Sequence, residues 1–225
     1  MATLAELSDL DPAVPAAELK PKPSQRRGKH TFETVLTTAG ALLAEVGFER
    51  LSTNLVCERA GLTPPALYRY FPNKYSILRE LAGRLMDAQD QAVFDWLDDG
   101  GLAAGAVEES IEKVRILQKR VNAITRSHPG GVWILRALRA VPELQEIQQA
   151  SRRRVATRLL EAFKSAHPHL PDKRLPMASR MITSVMYAAM EMMMEEPETD
   201  EELITDEICA MVGLYYQDLL NRSCV

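Results

Sequence analysis

Residues 52–74, which read STNLVCERAGLTPPALYRYFPNK, carry the signals of two short helices joined by a tight turn. Thr53 is expected to cap the first helix, since a side-chain oxygen there can accept from a backbone N–H group that has no partner within the helix. Gly61 is expected to end it, because glycine adopts the positive φ angle of a common helix C-cap. Thr63 is then expected to cap the second helix. This order of start and stop signals predicts a helix-turn-helix.

The second helix of the pair begins with Pro64 and Pro65, which a first turn tolerates because its N–H groups have no partner within the helix. Leu67 and Phe71 are four residues apart and are expected to share the buried face. The faces that can meet a partner carry Pro65, Ala66, Tyr68 and Arg69. Small residues near the start of this helix allow it to approach base edges in a DNA major groove.

The same segment resembles the operator-binding region of the tetracycline-repressor (TetR) family of regulators. In that family the recognition helix reads as a hydroxyl residue, two or three variable positions, then Leu-Tyr-x-aromatic-Phe and Pro-x-Lys. The chain carries this pattern as Thr63, Leu67, Tyr68, Tyr70, Phe71, Pro72 and Lys74, with a fitting Gly-Phe-Glu at 47–49. The resemblance is specific over residues 30–82. It implies an all-α fold of about nine helices, in which a three-helix DNA-binding head precedes a larger helical domain for ligand binding and dimerisation.

The resemblance and the helix geometry together assign roles within this segment. Thr53, Tyr68 and Lys74 are expected to contact phosphates, because hydroxyl groups and cations at helix starts and outer faces reach the DNA backbone. The candidates for base edges are Asn54, Pro65, Ala66 and Arg69, of which Arg69 could equally bind a phosphate. Thr63 and Pro64 are also expected among the DNA-binding residues. The family often has a polar or basic side chain where this chain has two prolines and an alanine, which favours contacts with thymine methyl groups. The alternative is that all of these are surface residues of an unrelated helical head.

The charge of the chain, −4 in total, is distributed unevenly. Residues 1–19 hold four acids and no base, residues 20–80 hold ten bases and five acids, and residues 81–225 hold seventeen bases and twenty-two acids. The basic excess therefore coincides with the helix-turn-helix, as expected of a phosphate-binding head on a body that does not bind nucleic acid.

The remaining sequence divides into an extension and two expected domains. Residues 1–29 have no sustained apolar period and are expected to be disordered. Their basic residues, which could follow DNA into the minor groove or simply solvate a tail, are Lys20, Lys22, Arg26, Arg27 and Lys29. Residues 30–75 form the expected DNA-binding domain and residues 76–225 the expected effector-binding and dimerisation domain. Apolar residues at helical spacing predict helices over 31–46, 74–96, 104–127, 131–140, 142–166, 172–195 and 199–221.

The last two predicted helices have apolar residues on more than one face. The final helix is expected to start with a capping box of Thr199 and Glu202. Its apolar stripe and the methionine-rich helix before it can cover the core on one side and meet a second subunit on the other, with Val212 and Met186 outward. Two such helices from each subunit would form a four-helix bundle that presents two recognition helices to a palindromic site. The alternative is that both helices are buried in a monomer.

An effector pocket is expected to be lined by Phe94, Trp133, Met186 and Met190, since methionine adapts to irregular shapes and aromatic rings supply apolar area. The alternative is that all four are ordinary core residues. No cofactor and no metal site are expected, because the His-x-His at 167–169 lacks further ligands nearby. Three cysteines, widely spaced, are too few for a disulfide framework.

These features favour a ligand-responsive transcriptional regulator, most simply a homodimeric repressor that a small, mostly apolar effector releases from a palindromic operator. Two other classes stay open: a nucleoid-type DNA-binding protein without an effector, and an all-helical enzyme with dispersed catalytic residues. A cavity in the body would argue against the first class, and the lack of hydrolase, phosphate-loop, dinucleotide and zinc-protease motifs argues against the second. No apolar run is long enough to span a membrane and no signal peptide is seen, so a cytoplasmic location is expected.

Overall fold

The computed structural model describes residues 23, 26–103, 105–168, 173–195 and 198–221, and within these residues it contains nine α-helices and no β-strand. The helices are α1 (Arg26–Arg50), α2 (Thr53–Ala60), α3 (Pro64–Tyr68), α4 (Lys74–Asp98), α5 (Val107–Ser127), α6 (Gly131–Ala140), α7 (Pro142–Ala166), α8 (Leu175–Glu195) and α9 (Glu201–Asn221). The predicted all-α fold is confirmed. The prediction for residues 1–22, 24 and 25, which include Lys20 and Lys22, falls outside the described residues.

The first helix begins earlier than its sequence pattern predicts. Residues 26–29, assigned to the extension, form the first turn of α1, because nothing in this stretch stops the helix. The inward side of α1 supplies much of the core of the head, and the ring of Phe32 stacks on that of Phe71 with centroids 4.7 Å apart. Gly47, with a φ of 74°, interrupts the helical geometry near the end of α1.

The caps of the two short helices differ in part from the prediction. Ser52 caps α2, because its Oγ accepts from the backbone N–H of Leu55 at 3.2 Å; Thr53, the predicted cap, is the first helical residue. Gly61 ends α2 with a φ of 63°, as predicted. Thr63 lies at the N-cap position of α3, but its side chain makes no capping hydrogen bond. The turn and its Gly61 C-cap therefore follow the prediction, while the N-capping hydrogen bonds differ from it.

A one-residue shift also occurs at the start of α9. The Oδ1 atom of Asp200 accepts from the backbone N–H groups of Glu202 and Leu203 at 3.0 and 3.3 Å, so Asp200 takes the capping role predicted for Thr199. A carboxylate at this place also complements the positive end of the helix dipole.

The head and the body share one continuous core of buried side chains. The first half of α4 contributes to it together with residues of α1, α2, α3, α6, α8 and α9; the α4 members are Ile77, Leu78, Leu81, Ala82, Leu85 and Met86. A domain boundary at residue 75 therefore falls in the first turn of a helix that belongs to both parts.

The head also meets the body in a close contact between α1 and the turn that joins α5 to α6. A Cβ atom at Gly40 would lie 2.8 Å from Pro129 Cβ, and one at Gly130 would lie 2.7 Å from the Gly40 carbonyl oxygen. The ring of Trp133 lies so close to Gly47 that a Cβ atom there would be 3.3 Å from it. We call this contact of Gly40, Gly47, Pro129, Gly130 and Trp133 the head joint.

In the body, α5 packs along α9, α4 packs along α7, and α7 packs along α8. The two last helices keep large apolar side chains on the outside, namely Met177, Met181 and Met192 on α8 and Leu203, Met211 and Leu214 on α9. Val212, predicted to face outward, is 7% exposed, so that prediction is wrong. Among the described helices, none is long and apolar enough to cross a membrane.

Candidate functional site

The face of α2 and α3 that is turned away from the core carries the residues predicted to contact DNA. The exposed members are Asn54, Thr63, Pro64, Pro65, Tyr68 and Arg69, and the partly exposed members are Thr53 and Ala66. We call these eight residues the recognition surface. Leu67 and Phe71 are completely buried, which fixes the face of the short α3 that points outward. Small apolar side chains and hydroxyl groups are thus presented together at the start of one helix.

Tyr68 links α3 to α2 through its hydroxyl group. Its oxygen shares a hydrogen bond with Thr53 Oγ1 at 3.0 Å, while 40% of the residue stays exposed. The two hydroxyl groups lie together at the junction of the helices, so either could bind a phosphate oxygen of DNA. Arg69 lies beside them with its guanidinium carbon 5.9 Å from the centre of the Tyr70 ring, a contact that favours one orientation of the side chain.

Lys74 directs its side chain back into the head. Its Nζ donates to the carbonyl oxygens of Phe48 and Glu49 at 3.3 and 3.5 Å, and lies 4.5 Å from the centre of the Phe48 ring. Burial lowers the pKa of this ammonium group below its ordinary value. The ammonium therefore binds the end of α1 in this structure, and the phosphate contact assigned to Lys74 stays a prediction.

The body encloses a cavity of about 100 Å³ between α4, α5, α7, α8 and α9. Most of its wall is apolar, and it includes Val93, Leu117, Leu159, Phe163, Met186 and Met190. Met186 and Met190 thus lie where the sequence places an effector pocket, and Met186 does not lie on the outward face of α8. The enclosed volume is below the roughly 300–1,000 Å³ of common ligand pockets.

The two aromatic residues predicted for the pocket lie elsewhere. Phe94 is outside the cavity wall, to which α4 contributes Val93 and Trp96 instead, since neighbouring helix positions point in different directions. Trp133 belongs to the head joint, and the Arg136 guanidinium lies 4.8 Å from the centre of its ring. The assignment of these two side chains to the pocket is wrong because helical periodicity marks an inward face without telling which neighbour that face meets.

A chain of buried polar side chains forms one part of the cavity wall and its support. The Ser151 hydroxyl donates to Asp90 Oδ1 at 2.5 Å and accepts from the Tyr187 hydroxyl at 2.6 Å. Asp90 Oδ2 accepts from Nε and Nη2 of Arg154 at 2.9 and 2.6 Å. Burial raises the pKa of Asp90, and the hydrogen bonds and charge of Ser151 and Arg154 act in the opposite direction. Burial also raises the pKa of Tyr187, which is therefore neutral at pH 7.

Tyr216 and His167 form a second buried polar contact beside the cavity. The Tyr216 hydroxyl donates to the carbonyl oxygen of Leu102 at 2.6 Å and lies 2.6 Å from His167 Nε2. Burial raises the pKa of Tyr216 to about 12. His169, the other histidine of the pair, lies outside the described residues. Within the described ranges no group of three or more His, Cys, Asp and Glu residues is placed to hold a metal ion.

The polar part of the cavity wall is a feature that the sequence pattern does not single out. Polar residues on an amphipathic helix are ordinarily assigned to its outer face. The signal that could have found Gln89 and Asp90 is their register, because each lies four residues after a buried residue of the same stripe, Leu85 and Met86. Both polar residues are buried, and both line the cavity.

Two family models match the chain. Residues 35–81 match the model for bacterial regulatory proteins of the tetR family, and residues 114–215 match the model for the tetracyclin repressor-like C-terminal domain. The first match contains the recognition surface. The second contains most of the cavity wall.

Individual relatives agree with these matches. The class C tetracycline repressor protein of Escherichia coli is 44% identical over 54 residues, which are 24% of this chain and 25% of that protein, so the match spans about a quarter of its length. A TetR-family regulator structure from Pectobacterium atrosepticum has a TM-score of 0.63 at 20% identity, over 88% of this chain and 97% of that one. The SmeT–triclosan complex has a TM-score of 0.60 at 21% identity, over 81% and 90%. The likeness to the solved structures shows the fold.

Proposed function

Because the chain belongs to the TetR family of bacterial regulatory proteins, we propose that it is a transcriptional repressor that binds a palindromic operator as a homodimer. A small, mostly apolar effector fills the cavity and releases the operator. The protein acts in the cytoplasm, where the DNA is, and has no catalytic role. A nucleoid-type protein without an effector is the weaker reading, since an enclosed cavity has no use in DNA binding alone.

The observation that carries the proposal is the course of α4. This helix starts at Lys74, directly after the recognition surface, and its residues Gln89, Asp90, Val93 and Trp96 line the cavity. The stretch between them is about 22 Å of continuous helix. A ligand larger than the enclosed volume has to displace a wall, and a shift of α4 is transmitted to the head. The ligand then acts on DNA affinity only through its different affinities for the two states.

The outward apolar side chains of α8 and α9 support dimerisation through these two helices. Contiguous exposed apolar area on a soluble protein commonly marks an interaction site. A two-fold axis through this face would pack four helices together and place the two copies of α3 on one side of the dimer, as a palindromic operator requires. The complex of SmeT with triclosan, a neighbour in fold, supports the effector part of the proposal.

The DNA part is tested by selecting bound sequences from a random double-stranded library with the wild-type protein. We expect a palindrome whose half-sites are spaced by about 34–36 Å or a multiple of it. Tyr68→Phe should weaken binding to every sequence, because it removes a phosphate donor; the matched Tyr215→Phe on α9 should not. If no palindrome is selected, the protein is not the proposed repressor. If Tyr68→Phe binds like the wild type, Tyr68 is not a phosphate contact.

The effector part is tested by reciprocity. A compound that weakens operator binding by a factor of 100 requires about 2.7 kcal/mol of coupling, and the operator must weaken binding of that compound by the same factor. Calorimetric titration of the compound with and without operator measures both. Equal affinities in the two titrations would show that the compound is not an effector.

A further inference from the structure

A buried polar atom in the cavity wall has no hydrogen-bond partner among the residues that the structure describes. Gln89, on α4, is 3% exposed and lines the cavity. Its amide nitrogen donates to Thr125 Oγ1 at 2.7 Å, but its Oε1 atom has no partner in the described part of the chain. Buried acceptors without a partner are rare because burial removes their hydrogen bonds with water. The exception at Gln89 lies where a ligand would bind.

The neighbours of the amide group determine which of its two ends is unpaired. The Thr125 hydroxyl donates to the carbonyl oxygen of Val121 at 3.1 Å, so its oxygen is left to accept and needs a donor opposite it. Met190 Sδ, 3.5 Å from the same amide nitrogen, is also an acceptor. A flipped amide would place Gln89 Oε1 against the Met190 sulfur, and the oxygen could accept from Thr125 only if that hydroxyl gave up its hydrogen bond to Val121. The unpaired atom is therefore the oxygen, and what it lacks is a donor.

The rest of the polar wall constrains the charge of a ligand. Among the described residues that line the cavity, Asp90 is the one with a charged side chain. Both of its carboxylate oxygens accept hydrogen bonds, from Ser151 and Arg154. Because Arg154 compensates this charge, a cationic ligand would be buried without a counter-ion of its own. The cavity therefore favours a neutral ligand. Thr183 also lines the cavity, and its hydroxyl oxygen has no partner within the described ranges, so it could serve a ligand that both donates and accepts.

We propose that the effector is a small, neutral, largely apolar molecule with one hydrogen-bond donor, such as a hydroxyl group, which it gives to Gln89 Oε1. The inference rests on the proposed function, whose effector site it specifies. The enclosed volume of about 100 Å³ approaches that of an apolar cavity that takes up a single benzene ring. The rest of the molecule lies against the apolar wall.

The experiment compares two probes of nearly equal size, p-cresol and toluene, which differ by one hydroxyl group. Their dissociation constants are measured calorimetrically at pH 7 for the wild type and for Gln89→Met, which replaces the amide by an apolar chain of similar length. For each protein, the affinity for p-cresol is divided by the affinity for toluene. The quotient of the wild-type ratio and the variant ratio is free of the difference in hydration between the two probes, because that difference is the same for both proteins. We expect a quotient of about ten in favour of p-cresol.

Gln118→Met is the matched control, because Gln118 is a second buried glutamine in the wall whose amide nitrogen donates to Asn122. It should leave the ratio of the two probes near the wild-type value. A quotient near one for Gln89→Met overturns the proposed donor contact. If Gln89→Met does not fold, 4-methylanisole replaces toluene in titrations of the wild type. It carries an oxygen on the ring at the same position as p-cresol, but as a methyl ether that has no hydrogen to donate. Binding of 4-methylanisole as tight as that of p-cresol then overturns the inference.

The failure of the inference is distinguishable from that of the proposed function. If both probes bind the wild type and the quotient is near one, the cavity still takes ligands but Gln89 does not select donors. If neither probe binds the wild type at millimolar concentration, the single-ring donor class is overturned, and the reciprocity titration decides separately whether any effector acts on the operator.

Discussion

At the scale of single residues, Lys74 shows how far a position and a side-chain direction can differ. The resemblance places it at the start of α4, and the structure has it there. Its ammonium nevertheless binds the carbonyl oxygens of Phe48 and Glu49, because the broken end of α1 leaves acceptors within reach of a long side chain. A motif fixes which residue stands at a position but not which of two nearby sets of acceptors it binds.

We expect Lys74→Met to lower the free energy of unfolding by about 1–2 kcal/mol, because it removes charge-assisted hydrogen bonds and a cation–π contact. Urea denaturation measures the loss, and Lys173→Met in the body is the control, expected to change stability by less than about 0.5 kcal/mol.

The salt dependence of operator binding tests the predicted phosphate contact of Lys74. If Lys74→Met reduces the slope of log affinity against log salt concentration by about one, Lys74 is a phosphate contact. An unchanged slope removes Lys74 from the phosphate contacts.

The outcome for the effector pocket has the same physical cause. Met186 and Met190 line the cavity, and their part in effector binding stays a prediction. Phe94 and Trp133 lie outside the cavity wall, since the neighbours that each side of α4 and α6 meets depend on the angles at which several helices cross. Whether Gln89 Oε1 finds a partner is decided jointly by side chains of α4, α5 and α8, and no local sequence pattern encodes such an arrangement.

At the scale of helices, the sequence predicts well which helices form and roughly where each begins and ends, because the signals that start and stop a helix are local. The bounds of α6 and α7 agree with the predicted ones, and α4 extends two residues beyond its prediction. The capping residues of α2 and α9 are each displaced by one position, because the adjacent pairs Ser52-Thr53 and Thr199-Asp200 both offer suitable oxygens. Only the backbone path into the helix decides between two neighbours of this kind.

The caps of the two recognition helices should differ in energy. Ser52→Ala removes the hydrogen bond to Leu55 N and should lower the free energy of unfolding by about 0.5–2 kcal/mol. Thr63 occupies the corresponding place in α3 but makes no capping hydrogen bond, so Thr63→Ala should lower the free energy of unfolding by less than Ser52→Ala does. Chemical denaturation of both variants gives the comparison. Equal losses would mean that the Ser52 side chain contributes nothing specific to α2.

At the scale of the whole molecule, the sequence indicates that α8 and α9 are apolar on two sides, and the structure decides which residues take the outer one. Val212 lies in the core and Met186 at the cavity, whereas Met181 and Leu214 are exposed. With apolar residues on most faces of a helix, the periodicity has no clear direction, and the outer side is set by how α5 and α7 pack against it.

If this outer side forms the dimer interface, Leu214→Glu and Met181→Glu should yield folded monomers, because each would bury an unpaired carboxylate between subunits. Light scattering should then give about 25.2 kDa for the variants and twice that mass for the wild type. Ile116→Glu is the control, since Ile116 is a 57% exposed apolar residue on α5 and should leave the dimer intact. Dimeric Leu214→Glu and Met181→Glu proteins would place the interface elsewhere.

The head joint limits how the DNA specificity of this chain can be re-engineered. Grafting a foreign head that ends at residue 75 would bring another first helix against Pro129, and any side chain in place of Gly40 would collide with that turn. A successful chimera therefore needs a donor with glycine at this place, or must carry its own turn between the fifth and sixth helices. The boundary between the grafted head and the body thus includes Pro129 and Gly130, which lie more than fifty positions beyond the last residue of the exchanged segment.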